Sequence, residues 1–369
     1  MKKELMTLGA LSWALLACTP QPQTEEKNVD FSPVTPLNPP TYVCYKAPGE
    51  IKIDGKLTEW DAVPWTSDFT DIEGDKRPAP LYQTRAKMAY DEKGMYFAAW
   101  MDEPHVWAYQ TEHDCVIFLE NDFEIFLDPT GDTHNYLEYE VNALGTDWDL
   151  YLSQPYRNRP AVLNGWEFAG MKSAVWVDGT VNNPNDTDKG WGVEVFIPWE
   201  TLNQVMNGHK GAPNNGDQFR VNFSRVEWTT EVKDGKYVKI PIKGEDKIRE
   251  YNWVWAPTGV INIHLPEYWA YVQFSDKVAG QGEDSFQAKP EEATKWILRQ
   301  LYYRQKEYQA ATGEFAATAT ATALKASDIC SAEQVAKMTV ERTASLFEIS
   351  LPAADGSVWR INQDGFVWK

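Results

Sequence analysis

Apolar and polar positions alternate with period two along residues 121–146, on both sides of a short turn. Phe123, Ile125 and Leu127 fall on one side of the first run, and Leu137, Tyr139 and Val141 on one side of the second, the pattern of two half-buried antiparallel strands. The linking PTGDTHN is built from turn formers. The opposite side of this hairpin carries Glu124, Phe126, Asp128, Tyr136, Glu138, Glu140 and Asn142. So many carboxylates and hydrogen-bonding groups on one side of a sheet mark that face as the candidate for function.

Similar short runs fill most of the chain. Tyr42 and Cys44, then Ile51 and Ile53, alternate between turns at Pro48-Gly49 and Asp54-Gly55. Residues 85–101 read as a hairpin closed at Asp91 to Gly94. Further strands are expected over 148–152, 172–177, 191–197, 219–228, 238–242, 253–255 and 269–274, separated by Gly, Pro, Asn and Asp turns. Strands of this length at this spacing imply a mainly β sandwich or barrel.

At Pro290 the period changes. Ala293, Ile297 and Leu301, with Leu298 and Tyr302, recur at helical spacing between acids at the start and Gly313 at the end. After an Ala/Thr run, residues 331–339 read as a second helix. LFEISL, SVWRI and GFVWK then read as a three-strand meander. The organisation expected is a β domain over 41–280 and a small α+β appendage over 289–369 that packs against it.

Composition narrows the classes of function. A length of 369 residues exceeds what one hydrophobic core usually holds. A net charge of -19 opposes the basic stripe that a phosphate backbone requires, which disfavours nucleic acid as a partner. With 17 Trp and 17 Tyr, some aromatic rings are expected to face a ligand rather than the core.

Residues 1–18 read as a targeting segment: Lys2 and Lys3, an apolar run from Leu5 to Ala17, and Leu15-Leu16-Ala17-Cys18, which resembles the lipobox of bacterial lipoproteins. That resemblance implies cleavage before Cys18, lipidation of its sulfur, and a place in the bacterial cell envelope, at the outer membrane or cell surface. Residues 19–40, rich in Pro, Gln, Thr and Glu, read as a disordered tether. Of the remaining cysteines, a Cys44–Cys115 disulfide that leaves Cys330 over and a set of three buried thiols are both compatible with the pattern. Neither CxxC nor HExxH spacing occurs, which argues against a structural zinc site.

Taken in order, IDGKLTEW (53–60), NDFEIFLDPTGDTHNYLEYEVNALGT (121–146), GWGVEVFIPWETL (190–202), RVNFSRVEW (220–228) and WVWAPTGVINIHLPEYWAYVQF (253–274) resemble the carbohydrate-binding module family 9-like proteins. The resemblance spans 42–275. It implies a two-sheet antiparallel β-sandwich of immunoglobulin-like or jelly-roll type, recognition of oligo- or polysaccharide by aromatic side chains, and bound calcium in some members. The family's sugar-binding glutamate falls on Glu124. The positions of its two clamping tryptophans fall near Phe118 and Ile263, and that of an arginine falls on Glu140, so a different sugar or a displaced platform is implied.

A sugar ring presents an apolar C–H face and a rim of hydroxyls, so its site needs a flat aromatic and nearby carboxylates or amides. Glu124, Glu138, Glu140 and Asn142 are the candidates for the rim, and Trp107, Phe118, Trp148 and Trp255 for the face. The competing reading is a glycoside hydrolase that uses Glu124 with Glu138 or Glu140, since adjacent strands can hold two carboxyls at the spacing such enzymes need. Asp128, Asp132 and His134, and the run 182–188, are oxygen-rich turns of the type calcium uses, and also ordinary turn residues. A remoter reading is a haem-binding sandwich with axial ligands among Met88, Met95, Met101, His105 and His264.

Overall fold

The computed structural model describes residues 29–32, 38–159, 162–318 and 325–369. The proposed signal segment, Cys18 and most of the tether lie outside the described residues. Among those described, no helix is long and apolar enough to cross a membrane.

Two β layers face each other across one core, as the alternation requires. The first runs Val162–Leu163, Asp147–Leu152, Tyr136–Asn142, Asp122–Asp128, Gln218–Trp228 and Ala270–Val278, with Glu250–Val254 also paired to Gln218–Trp228. The second runs Thr84–Tyr90, Gly94–Asp102, Gly190–Pro198 and Lys172–Asp178. Thr41–Lys46 joins them, pairing parallel with Ala270–Val278 along its length and with Thr84–Tyr90 only at Tyr45 and Lys46. Every other pairing in the two layers is antiparallel. Phe123, Ile125, Leu127, Leu137, Tyr139 and Val141 of the central hairpin meet Met88, Met95, Phe97, Val193 and Val195 of the second layer in the core. Rings bridge the layers: Phe97 lies 6.1 Å from Phe223 and Tyr90 lies 5.2 Å from Phe274, both edge-on.

Two of the sequence motifs have structural work. Glu194, in the GWGVEV strand, accepts the Asp54 and Gly55 backbone N–H groups at 2.9 and 2.8 Å and the Trp60 indole N–H at 2.6 Å. It thereby lays the IDGKLTEW segment over the outer side of the second layer, where Trp60 is fully buried. Gly55 has φ +81°, and a Cβ there would lie 2.5 Å from the Val175 and Trp176 backbone. Arg225, from RVNFSRVEW, is buried between Glu103 (2.8 Å) and Glu227 (2.9 Å) and also donates to the Asp102 carbonyl. Ile51 and Ile53, expected in a strand, lie in an irregular segment that packs against this same outer cluster.

The helix expected after Pro290 spans Glu291–Thr312 and ends on Gly313 at φ +84°. The second is shorter than expected, Ala332–Lys337, held by a capping box between Ser331 and Gln334. The closing sheet has four strands, because Thr339–Arg342 adds to the three read from sequence. Its core also takes Val29 and Phe31, so this part of the expected tether is packed rather than free. The unit docks on the sandwich through Tyr271 to Glu292 (2.8 Å), Arg299 to the Gly131 carbonyl (2.8 Å) and Thr133 to the Gly365 carbonyl (3.2 Å).

Of the two cysteine readings, the structure has the unpaired one: Cys44 and Cys115 are free thiols, as is Cys330. Cys44 sits in the core between the layers, whereas Cys115 packs on the outer side of the first layer with Ile117 and Trp148.

Candidate functional site

The central hairpin sets the site by register. Glu124 pairs with Glu140 and Phe126 with Glu138, so the acids share the side turned away from the core. That side is not the open sheet face expected. Glu124, Glu138 and Glu140 are 5%, 4% and 1% exposed, at the bottom of a cleft of about 390 Å³. Its floor also includes Leu150, Val226, Asn252 and Trp148; Phe118, Tyr156 and Ile261 are exposed at the mouth.

Each wall is held by specific bonds. The Ile117–Leu119 turn places Phe118, whose backbone N–H donates to Glu140 at 3.1 Å and whose carbonyl accepts the Trp228 indole N–H at 3.0 Å. Across the cleft, the Ile263 carbonyl accepts the Trp269 indole N–H at 2.7 Å, and His264 is 2.9 Å from the Tyr136 hydroxyl. Tyr156 stands edge-on to His264 with ring centroids 4.2 Å apart. The next residue, Arg157, binds Glu267 at 2.8 Å; Tyr303 of the C-terminal helix donates to the same carboxylate, and Tyr302 lies under the guanidinium. The appendage therefore braces the wall that carries Tyr156.

Electrostatics follow from burial. Among the described residues, no Lys or Arg lines the cleft. Burial raises Glu124 to about 7, opposed by a hydrogen bond from Ser224 and reinforced by Glu250. Asp122, Glu138 and Glu140 are held well above the usual carboxylate range by burial and then by the neighbouring Glu124 carboxyl. Burial lowers His264 to about 3, so it is a neutral hydrogen-bonding group. The Trp148 indole N–H and one oxygen of Glu138 have no partner, which leaves a donor and an acceptor for a guest.

Of the candidates read from sequence, the cleft gathers Glu124, Glu138, Glu140, Phe118 and Trp148, together with Ile263. Three others lie elsewhere. Asn142 is fully buried, donating to the Gln110 carbonyl at 3.0 Å and accepting the Leu144 and Thr146 N–H groups, so it closes the turn after its own strand. Trp107 packs with Val226, Trp228 and Tyr237, and Trp255 lies in the core beside Phe223. Indole is large and apolar enough that core packing claimed both. Glu250 and Asn252 were missed although the same period-two alternation in EYNWV marks them. Tyr156, in an aperiodic loop, carries no such signal.

The calcium reading at the hairpin turn does not fit the residues. Asp128 spends one oxygen on the Thr130 and Gly131 N–H groups and the Thr130 hydroxyl, and the other on the Thr133 N–H; Asp132 accepts the His134 N–H. These carboxylates cap their own turn. Nor do haem ligands converge: Met88, Met95 and Met101 fill the core, while His264 is in the cleft wall and His105 lies beside Tyr237. A glycosidase needs one acid kept protonated and another kept ionised. In this cleft burial raises Glu124 to about 7 and holds Glu138 and Glu140 well above the usual carboxylate range.

The model of the family described as carbohydrate family 9 binding domain-like matches residues 53–236. No curated protein matches the chain. Among solved structures, a candidate carbohydrate-binding protein from Bacteroides uniformis ATCC 8492 aligns at 15% identity and TM-score 0.47, over 64% of this chain and 100% of that one. A family 9 carbohydrate-binding module from Caldicellulosiruptor kristjanssonii aligns at 15% identity and TM-score 0.40. Its cellotriose complex covers 66% of this chain and 98% of that one, and its glucose complex 67% and 100%. The order of the motifs, the two-layer sheet and the matched span agree: residues 53–236 belong to the carbohydrate family 9 binding domain-like family.

Proposed function

We propose that the chain binds carbohydrate without catalysis, in the cleft over the central hairpin. The observation that carries this reading is the arrangement of that cleft: a polar floor of Glu124, Glu138, Glu140 and Asn252 beneath exposed Phe118 and Tyr156. A sugar ring lies with its C–H face on an aromatic and its hydroxyls on carboxyls and amides, and the unpartnered Trp148 N–H and Glu138 oxygen offer one donor and one acceptor for it. The volume of about 390 Å³ suits a small saccharide or a chain end rather than a long, flat polymer surface. Together with the Lys2–Lys3, Leu5–Ala17 and Cys18 segment, this makes the protein a lipid-anchored envelope receptor that captures sugar for its catabolism.

Calorimetric titration with a panel of mono- and oligosaccharides tests the reading. Binding to at least one of them, weakened by Glu124→Ala and by Phe118→Ala, is the expected result. No heat from any member of the panel refutes it. New reducing ends released from a polysaccharide, and abolished in Glu124→Gln, would replace it with hydrolysis.

A further inference from the structure

A second cluster lies on the side of the first layer opposite the cleft. Trp148 faces the cleft, so its neighbours Asp147 and Asp149 on the strand Asp147–Leu152 point the other way. There they meet His113, from the polar loop before the central hairpin, and Glu167, from the loop after Val162–Leu163. One ligand atom from each of His113, Asp149 and Glu167 lies within 4.8 Å of the others. The His113 Nδ1–H donates to Asp147 at 2.9 Å, and the Tyr139 hydroxyl donates to the second oxygen of that carboxylate at 3.2 Å. Nε2 is left facing three other carboxylate oxygens, on Glu167 at 3.2 Å, Asp114 at 3.5 Å and Asp149 at 3.9 Å. A proton on Nε2 serves only one of them well. Asp149 is 1% exposed and spends one oxygen on the Phe168 N–H at 2.6 Å; the oxygen that faces Nε2 has no hydrogen-bond partner. A buried acceptor left in this state calls for a cation. Among the described residues, the ion pairs of all four carboxylates run to His113 alone.

We propose that His113, Asp149 and Glu167 hold a divalent transition-metal ion of the zinc class, with Asp147 as the positioning residue that orients the imidazole. Zinc binds histidine nitrogen at about 2.0–2.1 Å and carboxylate oxygen at about 2.0–2.2 Å, so two ligands of a tetrahedral ion lie roughly 3.4 Å apart. The distances from Nε2 to Glu167 and Asp149, 3.2 and 3.9 Å, bracket that separation. An ion between them reaches the Asp149 oxygen that an N–H does not. The imidazole selects this class over calcium and magnesium, which take oxygen ligands. A histidine that binds metal through one nitrogen donates its other N–H to a carboxylate or carbonyl, which fixes the ring. Asp147 stands in that place, and Tyr139 fixes Asp147 in turn. The side chains of His113 and Glu167 are 48% and 65% exposed, so the ion has a path from solvent and keeps a fourth position for water. The three ligands come from separate segments, so no short motif announces them, and the ion pins two loops to one strand.

The test uses the full chain without a purification tag, stripped with a chelator, freed of it, and titrated with zinc chloride alone by calorimetry at fixed pH. One ion bound at this site is expected. His113→Ala should abolish that binding, Glu167→Gln should weaken it about tenfold or more, and Asp147→Asn about 10–100-fold, through loss of the ring's orientation. Glu167 is exposed, so Glu167→Gln decides the matter even if His113→Ala fails to fold. Cobalt in place of zinc should show visible ligand-field bands without the thiolate-to-metal charge transfer that Cys115 would give, and those bands should shift in Asp147→Asn. Absence of zinc heat, a thiolate charge-transfer band, or unchanged affinity in any of the three variants overturns the proposal. Zinc is titrated with no sugar present, so this outcome and that of the saccharide panel are independent.

Discussion

Glu124→Gln should make the protein more stable, by an amount that grows as pH rises above about 5. The carboxyl has an ordinary value of 4.5 and is pushed up to about 7 in the fold. A raised acid contributes its full stability below the unfolded value, where both states are protonated, and loses it as pH rises through the folded value. The gap, at about 1.4 kcal/mol per pH unit, amounts to roughly 3 kcal/mol lost between about pH 5 and pH 8. Glutamine keeps the shape and an acceptor for Ser224 but never ionises. The groups that face it are Asp122, Glu138, Glu140 and Glu250, all acidic, so none gains from the charge that is removed. Asp132 (about 7) and Asp149 (about 6), both raised by burial, titrate over the same range and lower the stability of both proteins alike. The difference between wild type and variant therefore isolates the cluster. In chelator, urea titrations from pH 5 to 8 should show the curves converging at low pH and parting by about 3 kcal/mol at pH 8. For a domain of this size that is on the order of 6–12 °C in Tm. Parallel curves would refute the claim that burial of this carboxyl is what the cleft costs the fold.

Other perturbations follow from the same geometry. Arg225→Ala strands Glu103 and Glu227 in the interior and should cost about 3–5 kcal/mol in urea titrations; a loss below about 1 kcal/mol would show the pair to be solvated. Gly55→Ala should cost about 1–3 kcal/mol, because its φ of +81° and the 2.5 Å approach of the Val175 and Trp176 backbone leave no room for a Cβ; unchanged melting contradicts this. With Cys44 and Cys115 unpaired, adding a reductant should leave the melting temperature unchanged, and a drop would reveal a disulfide. His113 loses some basicity to burial but is raised to about 9 by its hydrogen bonds to Asp147 and Glu167, so its ring should titrate by NMR near that value rather than near 6.5. The contact stabilises below about pH 6.5 and fades as pH rises through about 9.

What the sequence determined by itself is the local order. Period-two alternation along 121–146, 190–198 and 218–228 specifies strands and which side of each meets the core, because a strand has only two sides and burial selects the apolar one. Pro290 and Gly313 bound the long helix for reasons of backbone chemistry alone. The same alternation put Glu124, Glu138 and Glu140 together. Only the tertiary structure decided what surrounds them. Whether an indole faces solvent, ligand or core depends on which distant segment covers it, so Trp148 came to the cleft while Trp107 and Trp255 went to packing. Apart from Phe118, the walls come from farther along the chain, at Tyr156 and Ile261–His264, and the C-terminal helix braces one of them through Glu267. That enclosure turned a sheet face into a deep acidic cleft, and desolvation, which no pattern of neighbours in sequence records, set the charge of its floor.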